Sequence, residues 1–114
     1  MFGFGKKDPS NITPAQVEER VKAGENLFIL DVRERSEYAE ARVPNSKLVP
    51  LGELSMRLSE VPKGRPVAVI CRSGNRSGVA TSILKRAGYD PVYNIDGGII
   101  AWARHGLPVE RGGR

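Results

Sequence analysis

Cys71 is the only cysteine among 114 residues, and its neighbours are those of a nucleophile. It closes the apolar run Val67-Ala68-Val69-Ile70, and Arg72-Ser73-Gly74-Asn75-Arg76-Ser77-Gly78 follows before a helical segment. Where a strand passes through a tight polar loop into a helix, successive backbone N–H groups curl into a nest for an anion, and the helix N-terminus adds positive potential. Arg72 and Arg76 add formal charge. In that field the thiol is expected to ionise below its unperturbed value of about 8.5, and the thiolate is the reactive form. A lone cysteine at the end of a buried strand is ordinarily inert core. The loop argues against that reading, because two arginines, two serines, an asparagine and a glycine directly after a core strand serve little packing purpose.

The single cysteine also excludes chemistry. An internal disulfide, a Cys-x-x-Cys redox pair and a multi-cysteine zinc site all need a second one. An intermediate on Cys71 must therefore be resolved by an acceptor from outside the chain. Neither a metal nor a cofactor is expected. Gly97-Gly98 precedes a helical segment but matches no Walker or dinucleotide fingerprint, and reads as a tight turn with close packing. The one histidine, His105, falls near the end of the last helical segment and reads as a surface or capping residue rather than a base. No paired carboxylates and no Ser–His–Asp set are evident. Asp31 and Arg33 follow another strand at its carboxyl end and are candidate supporting residues, with a structural ion pair or loop anchor the better reading of them.

The elements that must position Cys71 are legible from hydrophobic pattern. Apolar runs at 27–32, 67–71 and 92–95, with a weaker one at 48–50, predict strands buried on both faces. A helix is predicted over 14–23: Thr13 suits the N-cap, Pro14 the first position, and Gln16 completes a capping box. Ile12 and Val17 are spaced as a hydrophobic staple, Val17 and Val21 are expected on one face, and Gly24 supplies a stop. Further helices are predicted near 36–41, 51–60, 76–87 and 98–105. In the third of these Val79, Ala80, Ile83, Leu84 and Ala87 form the apolar face, before a stop at Gly88. Strands alternating with helices give an α/β fold with a parallel sheet covered on both sides. In such sheets reactive groups gather beyond the carboxyl ends of the strands, where Cys71 stands. The reading divides the chain into a loose tail over 1–11, one domain over 12–109 and a C-terminal tail over 110–114.

Three motifs, in order, carry a family resemblance. Cys71-Arg72-Ser73-Gly74-Asn75-Arg76-Ser77 resembles the active-site loop of rhodanese domains, the single-domain thiosulfate sulfurtransferases. Leu30-Asp31-Val32-Arg33 with Glu37-Tyr38 resembles their first strand and helix. Asn94-Ile95-Asp96-Gly97-Gly98-Ile99 with Ala101-Trp102 resembles their C-terminal signature, and Gly106-Leu107-Pro108-Val109 their closing turn. The resemblance implies a three-layer sandwich with a central parallel sheet and helices on both faces. It implies that thiosulfate or a similar donor passes its outer sulfur to Cys71 as a persulfide, held by N–H groups from Arg72 to Ser77. An acceptor then removes it: cyanide in an assay, or a thiol, including that of a thioredoxin-like protein. One departure stands out. Where the family usually has Gly-His-Ile-Pro-Gly-Ala, this chain has Ala41-Arg42-Val43-Pro44-Asn45-Ser46, with Asn45 able to adopt the left-handed conformation of the glycine.

Two rival classes share features with this chain. A cysteine phosphatase or arsenate reductase uses a similar Cys–Arg loop, but protein-tyrosine phosphatases carry Cys-x5-Arg, and Arg76 makes this loop Cys-x4-Arg. A catalytically idle rhodanese-like binding or regulatory module often lacks the cysteine or the cationic loop, and this chain has both. The net charge of +5 lies largely in the tails, at Lys6, Lys7, Arg111 and Arg114, and in the loop. No basic stripe with interleaved aromatics points to nucleic acid. No apolar run approaches the roughly 20 residues of a membrane span, and no secretory signal is evident, so a cytoplasmic location is expected.

Overall fold

The computed structural model describes residues 10–112. Five strands, β1 (Asn11–Ile12), β2 (Phe28–Asp31), β3 (Lys47–Leu48), β4 (Val67–Ile70) and β5 (Val92–Ile95), form one sheet in the order β1-β5-β4-β2-β3. Every pairing is parallel, with Leu30 level with Val69 and Val69 level with Asn94 across the centre. The helices are α1 (Pro14–Lys22), α2 (Arg35–Glu40), α3 (Asn75–Arg86) and α4 (Gly98–Arg104).

Strand alternation divides the core in two. Leu30, Val32, Val67, Val69, Cys71 and Val92 pack on one face with Ala80 and Leu84 of α3. Ile29, Ala68, Ile70 and Ile95 pack on the other with Val17 of α1 and Trp102 of α4. Both faces of the central strands are covered, which is why they read as unbroken apolar runs rather than as alternation. The same parity decides where the sulfur goes. Cys71 is two residues beyond Val69, so its side chain joins the face covered by α3, the helix that its own loop feeds.

α1 begins as its sequence predicts. Thr13 and Gln16 form the reciprocal capping box, and Ile12 and Val17 are both buried in one cluster. Val21, expected beside Val17, is 44% exposed, and Val79, expected on the inner face of α3, is 53% exposed. Each lies on the rim of its helix's apolar stripe, facing water. The helix expected over 51–60 is two 3-10 turns, Leu51–Met56 and Leu58–Glu60. The reason lies in the apolar spacing. Leu51 and Leu54, then Leu58 and Val61, are three apart and all pack into the α3-side core, and three residues per turn is the 3-10 repeat.

Both ends of the described chain are tied in. Asn11, read as tail, opens β1 and pairs with Asn94. Glu110, also read as tail, exchanges two backbone hydrogen bonds with Arg42 at 2.9 and 2.8 Å, and the Gly112 N–H donates to Ala39 O at 3.0 Å. Of the two predicted tails, 1–9 and 113–114 lie outside the described residues.

Candidate active site

Cys71 follows β4 directly, and the chain then turns so that N–H groups face back on its sulfur. Gly74 sits in a left-handed conformation at φ +114°, and its N–H donates to Sγ at 3.1 Å. The Ser77 hydroxyl lies 3.2 Å from Sγ. The residue is only 1% exposed. That burial is the largest influence on the thiol and pushes its pKa up. The Ser77 hydroxyl and the backbone N–H groups of Ser77, Gly74 and Ser73 together outweigh it, so the net shift is downward from the ordinary thiol value. A charge at this sulfur meets the Gly74 N–H already in place, with the Ser77 hydroxyl within reach.

One arginine of the loop is engaged away from the sulfur. Arg76 points its guanidinium at α2, donating to both carboxylate oxygens of Glu37 at 2.7 and 2.9 Å. Glu37 is held at about 2, chiefly by that pair. Arg76 is thus a strut between loop and α2, its charge largely balanced. Arg72 is exposed and has no side-chain partner among the described residues. Asn75 is also exposed, at the first position of α3.

Two elements close the loop from behind. Asn94, in β5, donates from Nδ2 to Gly74 O at 3.1 Å and accepts from Ser77 Oγ at 2.5 Å. The first turn of α4 supplies the N–H of Ile99 to Cys71 O at 2.9 Å and of Ile100 to Arg72 O at 3.2 Å. The approach leaves no room for a side chain. A Cβ on Gly98 would lie 2.4 Å from the carbonyl oxygens of Cys71 and Arg72, and its φ of +58° also favours glycine. The Gly97-Gly98 pair is therefore the close-packing turn its sequence predicts, set against the cysteine loop.

Asp31 and Arg33 are brought to the same edge but are engaged with each other. Arg33 Nη2 and Nε reach Asp31 carboxylate oxygens at 2.8 to 3.1 Å, and both residues are buried. Arg33 also donates to Glu37 O and Ala41 O. They anchor α2, the helix that holds Arg76. Between α2 and the loop a groove of about 280 Å³ opens, bordered by Glu37, Glu40, Arg72, Ile99 and Ile100.

His105 caps the far end of α4, with Nδ1 2.9 Å from Ala101 O, while the loop meets the helix at its start. Asn45 takes φ +67°, the left-handed turn expected of it. Arg42 bridges α2 and the C-terminal segment. It lies over the Tyr38 ring and donates to Tyr38 O at 3.2 Å and Gly112 O at 2.9 Å. Among the described residues, no group of three His, Cys, Asp or Glu side chains converges as metal ligands, and no helix is long and apolar enough to cross a membrane.

The sequence points to Cys71 and its loop but not to what holds them, the Asn94 amide and the pairing of Glu37 with Arg76. Asn94 left a signal. An asparagine within an otherwise apolar strand needs hydrogen-bond partners if the strand is covered.

Fold and site together are a parallel α/β sheet with a donor-lined cysteine loop at its carboxyl edge. Residues 13–105 match the family model of the rhodanese-like domain, and the chain belongs to that family. It is 40% identical over 100 residues to a sulfurtransferase of Allochromatium vinosum, a match covering 88% of this chain and 94% of that one. It is 34% identical over 91 residues to a putative sulfurtransferase of Bacillus subtilis, covering 80% and 87% respectively. Among solved structures, a rhodanese-related protein from Thermoplasma volcanium superposes with a TM-score of 0.81 at 34% identity, over 88% of this chain and 96% of that one.

Proposed function

We propose that the protein is a sulfurtransferase that moves sulfane sulfur from thiosulfate or a similar donor to a thiophilic acceptor through a persulfide on Cys71. The observation that carries this reading is the convergence of the Gly74 N–H and the Ser77 hydroxyl on one cysteine sulfur. The names of the relatives support sulfur transfer in general. The donor and acceptor are those that the family resemblance implies. The Cys71 thiolate attacks the outer sulfur of thiosulfate; a new S–S bond forms, the old one breaks, and sulfite leaves with the electron pair. The persulfide's outer sulfur is then attacked by cyanide or by a thiolate, such as that of a thioredoxin-like protein. Thiocyanate or the acceptor's persulfide leaves, and the Cys71 thiolate returns. Preorganised donors stabilise the sulfur anion at both stages. A reducing compartment such as the cytoplasm supplies acceptor thiols.

The Cys-x4-Arg ring favours one sulfur atom over a phosphoryl group. In-line attack needs reacting atoms about 3–3.5 Å apart, and misplacement by roughly 1 Å costs on the order of a hundredfold. Thiocyanate formation and aryl phosphate hydrolysis are measured on one preparation, with Cys71→Ser as control. Cysteine-dependent thiocyanate formation with negligible phosphate release is expected. Phosphate release at a rivalling rate overturns the reading.

A further inference from the structure

The Ser77 hydroxyl carries one proton and has two neighbours that compete for it. Its oxygen stands 3.2 Å from Cys71 Sγ and 2.5 Å from Asn94 Oδ1. The far end of the Asn94 amide fixes which atom faces Ser77. That end lies 3.1 Å from Gly74 O, a carbonyl that can only accept, so it must be the NH2 group. The atom facing Ser77 is then Oδ1, which also can only accept. Ser77 donates to Asn94, and across the contact with sulfur the donor is the thiol S–H. The arrangement is that of neutral Cys71.

Ionisation reverses the demand. The thiol proton leaves to solvent, and the sulfur becomes an anion that needs a donor. Ser77 supplies one by turning its hydroxyl from Asn94 Oδ1 to the sulfur. We propose that Asn94 is a positioning residue that competes with the Cys71 thiolate for the single Ser77 hydroxyl proton and thereby sets how readily the nucleophile forms. A hydrogen bond to a charged acceptor is the stronger of the two, so the hydroxyl turns once the charge is present. The Asn94 amide borders a polar pocket of about 140 Å³ beside Thr81, Ser82 and Lys85, where water can satisfy the freed Oδ1. Asn94 is not the loop's only support at this point. Gly74 O also accepts from the Gly78 N–H at 3.1 Å, which keeps Gly74 in place without the amide.

The charged groups on the surrounding elements stay constant in the comparison. They are Arg72 and Arg76 of the loop, Glu37 of α2 paired with Arg76, the Asp31–Arg33 pair beyond β2, and Asp96 just after β5; the first turn of α4 carries no acid. Glu37, held at about 2, does not titrate in the range of the thiol.

The inference rests on Cys71 being the reacting group of the proposed function. Alkylation reads that thiol with no sulfur donor present, so either idea can fail alone. The rate of alkylation by iodoacetamide is followed from about pH 5 to 10 for the parent, Asn94→Ala, Ser77→Ala and the double variant. Asn94→Ala should lower the ionisation midpoint by about one unit, because the thiolate gains an uncontested donor. In the Ser77→Ala background the same change should leave the midpoint unmoved. A residue that merely braced the Gly74 N–H would give the opposite sign. A raised or unchanged midpoint in Asn94→Ala, or an equal fall with and without Ser77, overturns the proposal. Should Asn94→Ala fail to fold, the parent protein decides by NMR. The Asn94 side-chain amide signals should titrate with the Cys71 midpoint, and signals that stay fixed through it overturn the proposal.

Discussion

β2 and β4 run side by side with Asp31 level with Ile70, so Asp31 and Cys71 reach the same edge of the sheet one residue apart. Beyond β2, the polar groups are turned on one another. Arg33 meets the Asp31 carboxylate with two nitrogens and ties two carbonyls of the α2 segment, so that both side chains are engaged within the protein. Beyond β4, the Gly74 N–H and the Ser77 hydroxyl converge on one sulfur, whose neutral S–H needs only the hydroxyl oxygen as acceptor. The first arrangement is complete as it stands, and its work is to hold α2. The second is complete only when a negative charge is present, as the proposed role of Cys71 requires. The two are mechanically joined, since α2 presents Glu37 to Arg76 of the cysteine loop.

Removing Arg33 tests this contrast with the largest effect. Arg33→Ala leaves Asp31 buried without its partner, and breaking a buried pair in this way costs about 3–5 kcal/mol. Urea denaturation should show that loss, while the folded fraction alkylates at Cys71 as the parent does. Parent-like stability with lost thiol reactivity would move Arg33 from scaffold to active site. Ser77→Ala acts at the other strand end and on the thiol. Without its hydroxyl, the midpoint should rise by up to about one unit, slowing alkylation near pH 6 by up to tenfold. Alkylation as fast as the parent's would mean that the backbone N–H groups suffice.

The link between the two regions gives the smallest effect. The Arg76 guanidinium holds the Glu37 carboxylate down at about 2 in the folded protein, below its ordinary value of about 4.5. A depressed carboxylate contributes stability that is present above the unfolded value and is lost as pH falls through the folded one. Stability should therefore decline between about pH 4.5 and 2, and Glu37→Gln should flatten part of that decline. Only part is expected, because Glu53 and Glu60 are also held at about 2 by Arg35 and Arg57. An unchanged acid profile in Glu37→Gln would remove the strut from the account.

The difference between the strand ends also marks what the sequence makes legible. The three central strands stand out because burial on both faces makes them apolar but for Asp31 and Asn94, and their observed ends fall within a residue of those expected. The two residues of β1 carry no period, and pairing with β5 makes them a strand. The cysteine loop is legible because its residues are contiguous. Its supports are not, because Glu37 meets Arg76 across 39 positions and Asn94 meets Ser77 across 17. The arginines illustrate the point. Their charge is plain in the sequence, but the carboxylate that balances Arg76 is brought to it only by the packing of α2.

The most direct measurement of the central claim is intact mass after incubation with thiosulfate, for the parent and for Cys71→Ser. The parent should gain one sulfur atom, lost on adding cyanide or dithiothreitol, and Cys71→Ser should gain none. A parent that stays unmodified, or a Cys71→Ser protein that still takes up the sulfur, would contradict sulfur transfer through Cys71.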